Sequence, residues 1–118
     1  MSKPGIIELS EVDVTQRMME ALSNVCIRSV LFAVRERSKD AAEVARELNL
    51  SASTVYKSFA TLEYLALAEV DRFDISPEGK KIKMYRSRIG KVEITIDGHE
   101  PILNIYPNTP NPKQKSGS

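Results

Sequence analysis

The sequence predicts an α+β fold, with about four helices, a β-hairpin after them and an additional C-terminal β-hairpin. Three observations carry that expectation. From Asp40 to Leu67, DAAEVARELNLSASTVYKSFATLEYLAL, two apolar stripes of helical period are separated by a short polar turn. From Leu67 onward the period changes from helical to alternating, and the runs become rich in β-branched and aromatic residues. Ser76-Pro77-Glu78-Gly79 and Asp97-Gly98 then supply two turn signals, each between alternating runs.

In chain order, residues 1 to 9 form an arm in which Pro4 and Gly5 oppose a helix. Ser10 followed by Asp13 resembles a capping box with a shorter acid, so a first helix starts near Glu11. Met18, Met19 and Leu22 give it one apolar side, and Ser23-Asn24 breaks it. A second helix carries Ile27, Val30, Leu31 and Val34 at the spacing of a core-facing stripe, and its end, residues 35 to 39, is polar and solvated. Asp40 caps a third helix with the stripe Ala41, Val44, Ala45 and Leu48. Asn49 ends it, because asparagine tolerates the left-handed conformation of a tight helix exit. Leu50 plugs the turn, Ser51 caps the fourth helix, and Val55, Phe59 and Leu62 face the core. Small Ala45 lets these two helices approach closely, with Val55 facing back towards it.

Two strands follow, 67 to 75 and 81 to 89. The turn between them has Ser, Pro and Gly at the corners a type I turn prefers. A helix-turn-helix followed by such a hairpin makes a winged helix. KVEITI at 91 to 96 alternates again, and Asp97-Gly98 reads as a two-residue turn leading to a partner strand at 99 to 106. Pro101 restricts that strand to an edge. The end, PNTPNPKQKSGS, has the composition of a disordered tail. The expected organisation is an arm (1–9), a winged-helix domain (10–90), a C-terminal hairpin with a possible dimer contact (91–107) and a tail (108–118).

Composition narrows the class. A chain of 118 residues that is 42% hydrophobic fits one globular domain with modest extensions. No stretch approaches the roughly 18 apolar residues of a membrane span, and MSKPGIIELSEVD lacks an apolar leader core, so a cytoplasmic protein is expected. The single Cys26 excludes an intrachain disulfide framework and a zinc site built from several cysteines. The net charge of +1 is unlike that of a nucleic-acid coat, but its distribution is uneven. Residues 1 to 50 hold seven basic and eight acidic groups, whereas 79 to 91 hold six basic groups and no acid. One basic spot on a nearly neutral body suits local phosphate contact.

The candidate site is the fourth helix, 51 to 64, with the wing, 72 to 83. Ser51, Ser53, Thr54, Tyr56, Lys57 and Ser58 occupy the N-terminal turns that normally reach a DNA major groove. Hydroxyls there can bond phosphates or base edges, and Lys57 can meet a phosphate or guanine. On the wing, Arg72, Lys80, Lys81 and Lys83 suit backbone or minor-groove contact; the alternative is an edge strand charged against aggregation. Arg86 and Arg88 lie farther from the tip and are expected as salt-bridge partners. Cys26 is either a redox sensor pairing across a dimer or, more in keeping with its place at a helix start, a small core residue. His99 would need Asp97 and Glu100 on the same loop to hold a metal, and a solvated turn residue is the simpler account. No metal or cofactor is therefore expected. Nor is an enzyme: the chain has no Ser-His-Asp set, no HExxH and no phosphate-binding glycine loop.

Beyond these features, ALSNVCIRSVLFAV (21–34) resembles the opening of ArsR-type winged-helix repressors, and LSASTVYKSFATLEYLAL (50–67) is similar to their turn and recognition helix. Tyr85-Arg86 sits where the family's wing often has similar residues. The resemblance spans about residues 15 to 89, and the short, basic-winged form with a β C-terminus looks similar to archaeal winged-helix regulators. It implies a transcriptional regulator that binds double-stranded DNA as a homodimer. The paired cysteines of the family's metal sensors have no counterpart in 41 to 49, and the apparent hairpin 91 to 106 replaces the family's final dimerising helix. Ala52 and Ala60 also stand where the family often has polar side chains. Met18, Met19 and Leu22, with the C-terminal hairpin, are the expected dimer contacts. The alternative reading is a winged-helix protein-interaction module in a transcription or regulatory complex, without direct sequence reading. A ligand pocket between the first helix and the C-terminal strands is compatible with the first reading, although the sequence indicates no effector.

Overall fold

The structure, a computed structural model, describes residues 11 to 110. The expected arm at 1–9, the cap at Ser10 and residues 111–118 of the expected tail lie outside the described residues. Four helices, α1 (Glu11–Ser23), α2 (Val25–Ala33), α3 (Ala41–Leu48) and α4 (Ala52–Tyr64), precede four strands, β1 (Ala68–Ile75), β2 (Lys81–Ser87), β3 (Ile89–Thr95) and β4 (Ile102–Pro107). The strands form two separate antiparallel hairpins, β1–β2 and β3–β4. The α+β architecture expected from the sequence, a winged-helix-like body with an additional C-terminal hairpin, is the one observed.

Each helix boundary has a local chemical cause. Asn24, in extended conformation, accepts from the Ile27 amide at 3.0 Å and starts α2. Asp40 does the same for α3 through the Glu43 amide, and Ser51 for α4 through the Thr54 amide. Two helices end in the same way. After α3, Asn49 is left-handed (φ 56°), and the Leu50 amide reaches back to the Ala45 carbonyl at 2.9 Å. After α4, Ala66 is left-handed (φ 60°), and the Leu67 amide reaches the Leu62 carbonyl at 2.8 Å. This is the closure a glycine usually provides, and in both cases the following leucine turns in against the core. Asn49 fits the expectation; an alanine in the left-handed region gave no signal in the sequence.

The core joins Leu22, Val30, Leu31, Val34, Val44, Val55, Phe59 and Leu62 to Leu67, Tyr85 and Ile89 of the strands. Ala45 and Val55 are both buried there, which fits the expected close approach of α3 and α4. Three expected boundaries are corrected. The segment after α2 is only partly solvated: Ser38 is buried, and Lys39 exchanges both backbone hydrogen bonds with Tyr85 (3.1 and 2.9 Å), adding a one-bridge third strand to the wing sheet. The second strand ends at Ser87 instead of Ile89: the Arg88 amide still reaches the Leu67 carbonyl, but Ile89 already pairs with Pro107 in the second hairpin. The C-terminal hairpin has no two-residue turn at Asp97-Gly98. Its last pair is Thr95 opposite Ile102, leaving residues 96 to 101 as the loop. A two-residue turn would place Pro101, which lacks an N–H, in the ladder opposite Ile94. The observed register pairs Ile94 with Leu103 and Val92 with Ile105.

The wing turn follows its expected chemistry. The Gly79 amide donates to the Ser76 carbonyl at 2.8 Å, and Gly79 (φ 84°) then takes the left-handed position that closes a three-residue loop. Among the described residues, no helix is long and apolar enough to cross a membrane.

Candidate nucleic-acid interface

Helix α4 stands on a buried stripe of Val55, Ser58, Phe59 and Leu62, so its opposite face is turned outward. That outward face carries Ala52, Ser53, Tyr56, Lys57 and Ala60, all exposed. The expected reading residues therefore divide into three groups. Ser53, Tyr56 and Lys57 are presented to solvent. Ser51 and Thr54 close the cap: the Ser51 hydroxyl accepts from the Thr54 amide at 3.1 Å and donates to the Thr54 hydroxyl at 2.8 Å. Ser58 is the correction. It is buried, donates its hydroxyl to the Thr54 carbonyl at 2.9 Å and faces Cys26, so it cannot reach a groove. Cys26 is partly buried at this α2–α4 contact.

On the wing, Lys80, Lys81 and Lys83 are exposed. Lys81 lies over the Phe73 ring, 5.6 Å from its centroid, which steadies a long side chain without neutralising it. Arg72 differs. Its guanidinium pairs with Asp74 at 3.0 Å and Asp71 at 3.5 Å, so much of its charge is compensated within the strand. Arg86, expected in a salt bridge, is instead buried and donates to the Arg35 carbonyl (3.1 and 2.8 Å) and the Thr109 carbonyl (3.2 Å).

A groove of about 520 Å³ joins helix and wing, lined by the start of α3 (Asp40 to Ala42), by Tyr56, and by Lys80, Lys81, Ile82 and Lys83. Tyr85 forms part of its wall, and its ring stacks on Phe59 with centroids 3.9 Å apart and planes 5° from parallel. Burial, and then the nearby Glu63 and Tyr56, push the Tyr85 hydroxyl above its ordinary pKa, so it is a neutral donor at physiological pH. The stack ties the attitude of the wing to that of α4. Tyr85 shares its side of β2 with the exposed Lys81 and Lys83, so alternation did not mark it as buried, and nothing local in the sequence named Phe59 as its partner.

The expected dimer contacts also divide. Met18 and Met19 are half-buried, whereas Leu22 is a core residue, 3% exposed, and cannot contact a partner. A groove of about 500 Å³ beside α1, lined by Arg17, Ala21, Ile27, Ala60, Tyr64 and Leu65 among others, lies against α4 and not against the C-terminal strands as expected. Among the described residues, no group of three or more His, Cys, Asp or Glu side chains could hold a metal ion. No protein-family model matches the chain, and no curated protein matches it.

Proposed function

We propose that this chain is a DNA-binding transcriptional regulator of the ArsR-like winged-helix type, acting as a cytoplasmic homodimer. In this reading α4 enters the major groove and the wing meets backbone or minor groove. One observation carries it: Tyr56, from the exposed face of α4, and the wing's Lys80, Lys81 and Lys83 border one groove, so a helix and a cationic grip meet at the same surface. Lys57, Lys80, Lys81 and Lys83 are the charged contacts, and Ser53 and Tyr56 are the polar ones. A second copy is proposed because one module of this size buries too little surface for a regulator's affinity, and two-fold pairing doubles the contacts on a palindrome.

Selection from a random duplex library by the purified protein tests this reading. A recovered palindrome supports a dimeric reader, and recovery of no duplex overturns DNA binding. Lys57→Ala should weaken binding about tenfold without unfolding the protein, the scale of one lost charged base or phosphate contact; unchanged affinity in the folded variant would remove Lys57 from the interface. The second reading, a protein-interaction module, is favoured by the acids close to this surface. Asp40 and Glu78 line the groove, and Asp71 and Asp74 hold Arg72.

A further inference from the structure

The outward face of α4 holds two bare methyl groups, those of Ala52 and Ala60, on either side of Ser53, Tyr56 and Lys57. The remaining hydroxyls near the helix start are engaged. Ser51 and Thr54 close the cap on one another, and Ser58 is bound inward to the Thr54 carbonyl. From Ala52 to Tyr64 the helix has no arginine, asparagine or glutamine. It therefore lacks the forked donors that seize guanine and the amides that pair with adenine. What it offers a base edge is two methyl groups, the Ser53 and Tyr56 hydroxyls and one flexible ammonium.

In the major groove the one apolar feature of a base edge is the thymine C5 methyl, and small apolar side chains are its usual complement. An alanine methyl on an exposed helix face lets the backbone approach that methyl closely. Ala52 and Ala60 are eight positions apart, roughly 12 Å along the helix, so they address different base pairs. We propose that α4 recognises thymine methyl groups through Ala52 and Ala60, with Lys57 as its only cationic contact, so that the half-site is A·T-rich and is read by its methyl edge. The proposal rests on the DNA-binding reading above and specifies the sequence class that reading leaves open.

The test uses the duplex recovered by selection, with half-site thymines replaced one at a time by deoxyuridine. Each replacement deletes the methyl and keeps every hydrogen-bonding group of the base. At a contacted position the affinity should fall about four-fold, the scale of one methyl returned to water. In Ala60→Gly or Ala52→Gly, checked for retained helicity, the sensitivity at the matching thymine should vanish while the other positions keep theirs. A duplex that binds tightly yet is insensitive to uracil at every half-site position overturns the methyl reading and leaves the regulator standing. So does selection of G·C-rich half-sites. If no duplex is recovered, both readings fall together.

Discussion

Hairpins β1–β2 and β3–β4 follow one another with only Arg88 between them, yet they relate to the helical body in opposite ways. In the wing, the second strand is buried through Met84, Tyr85, Arg86 and Ser87, a third strand segment pairs with it at Lys39, and its ring stack reaches into α4. Its free end is cationic. In the C-terminal hairpin, Ile89 alone is buried, and Val92 and Leu103 only lean on the core. One face of that hairpin is apolar, with Val92 and Ile94 from one strand and Leu103 and Ile105 from the other; Ile94 is 43% exposed, and Ile96 in the adjoining loop is 68% exposed. The opposite face is mostly polar, although Ile102 at its tip is 51% exposed. Tyr106 donates to Glu93 at 2.9 Å, and Lys91 pairs with Glu93 at 3.4 Å while lying over the Tyr106 ring. An isolated two-stranded hairpin is marginal in water, so an uncovered apolar face on one is costly unless something meets it. The same motif thus presents charge in one place and hydrocarbon in the other. In the proposed regulator the first meets phosphate and the second a symmetry-related copy of itself, a face that carries no charge to repel its twin.

The largest expected effect comes from breaking the second half of that contrast. Ile94→Thr with Ile105→Thr keeps β propensity and removes the hydrocarbon. The protein should sediment as a folded monomer at micromolar concentration and lose on the order of 100-fold in affinity for a palindromic duplex. A dimer that persists would move the interface elsewhere, with Met18 and Met19 the next residues to change. The first half is broken by Lys80→Ala with Lys81→Ala. Binding should weaken across all sequences, and the slope of log affinity against log salt should fall by roughly two, one for each phosphate contact. A slope equal to wild type would reduce the wing to a solvated edge.

Smaller effects sharpen the comparison at the roots of the hairpins. Asn108→Ala deletes two hydrogen bonds from its side-chain amide, to the Arg35 and Ser87 carbonyls, each 2.9 Å long. It should cost about 1–3 kcal/mol in urea unfolding, because the Ser87 carbonyl loses this donor and the Arg35 carbonyl is left with Arg86 alone. Ala66→Gly, at the entrance to the wing, should do the reverse and add about 1 kcal/mol, since glycine accepts the left-handed conformation that alanine resists. A destabilised glycine variant would mean that the alanine methyl contributes packing outweighing its strain. Acid should act on the C-terminal hairpin. The Glu93 carboxyl is held below its ordinary pKa first by the Tyr106 hydroxyl and then by Lys91, so this contribution is complete at neutral pH and is lost as pH falls through that lowered value. The Tyr106 hydroxyl is raised by the same bond, so at the alkaline end the contribution disappears as pH climbs through the raised tyrosine value. Amide exchange in β3 and β4 should quicken in those two windows while β1 and β2 stay protected.

Local chemistry was legible wherever it was self-contained. Asp40, Asn49, Ser51 and the Ser76–Gly79 turn all act within a few residues of themselves, and each is found doing what its type and position imply. The side of a helix was less legible, although the signal existed. Ser58 falls at the i+3 place of the stripe Val55, Phe59, Leu62, and the stripe outweighs its polarity. Leu22 follows Met18 by one turn in the same manner. Long-range pairing left no local trace. Neither the bridge from Lys39 to Tyr85 nor the register that keeps Pro101 out of the ladder could be read without the fold. Asn108 and Thr109, expected in a disordered tail by composition, are held by partners more than 20 positions earlier in the chain.

Those last contacts have a geometric consequence. The Arg35 carbonyl, at the exit of α2, accepts from both Arg86 of the wing and Asn108 beyond the second hairpin, so three parts of the chain meet at one oxygen. A hinge would need slack there, and the knot leaves little. In the proposed dimer the two reading helices then behave as the jaws of a locked caliper, set to one opening. Operators whose half-sites differ by a base pair or two from that opening would be rejected by distance alone, however good each half-site is.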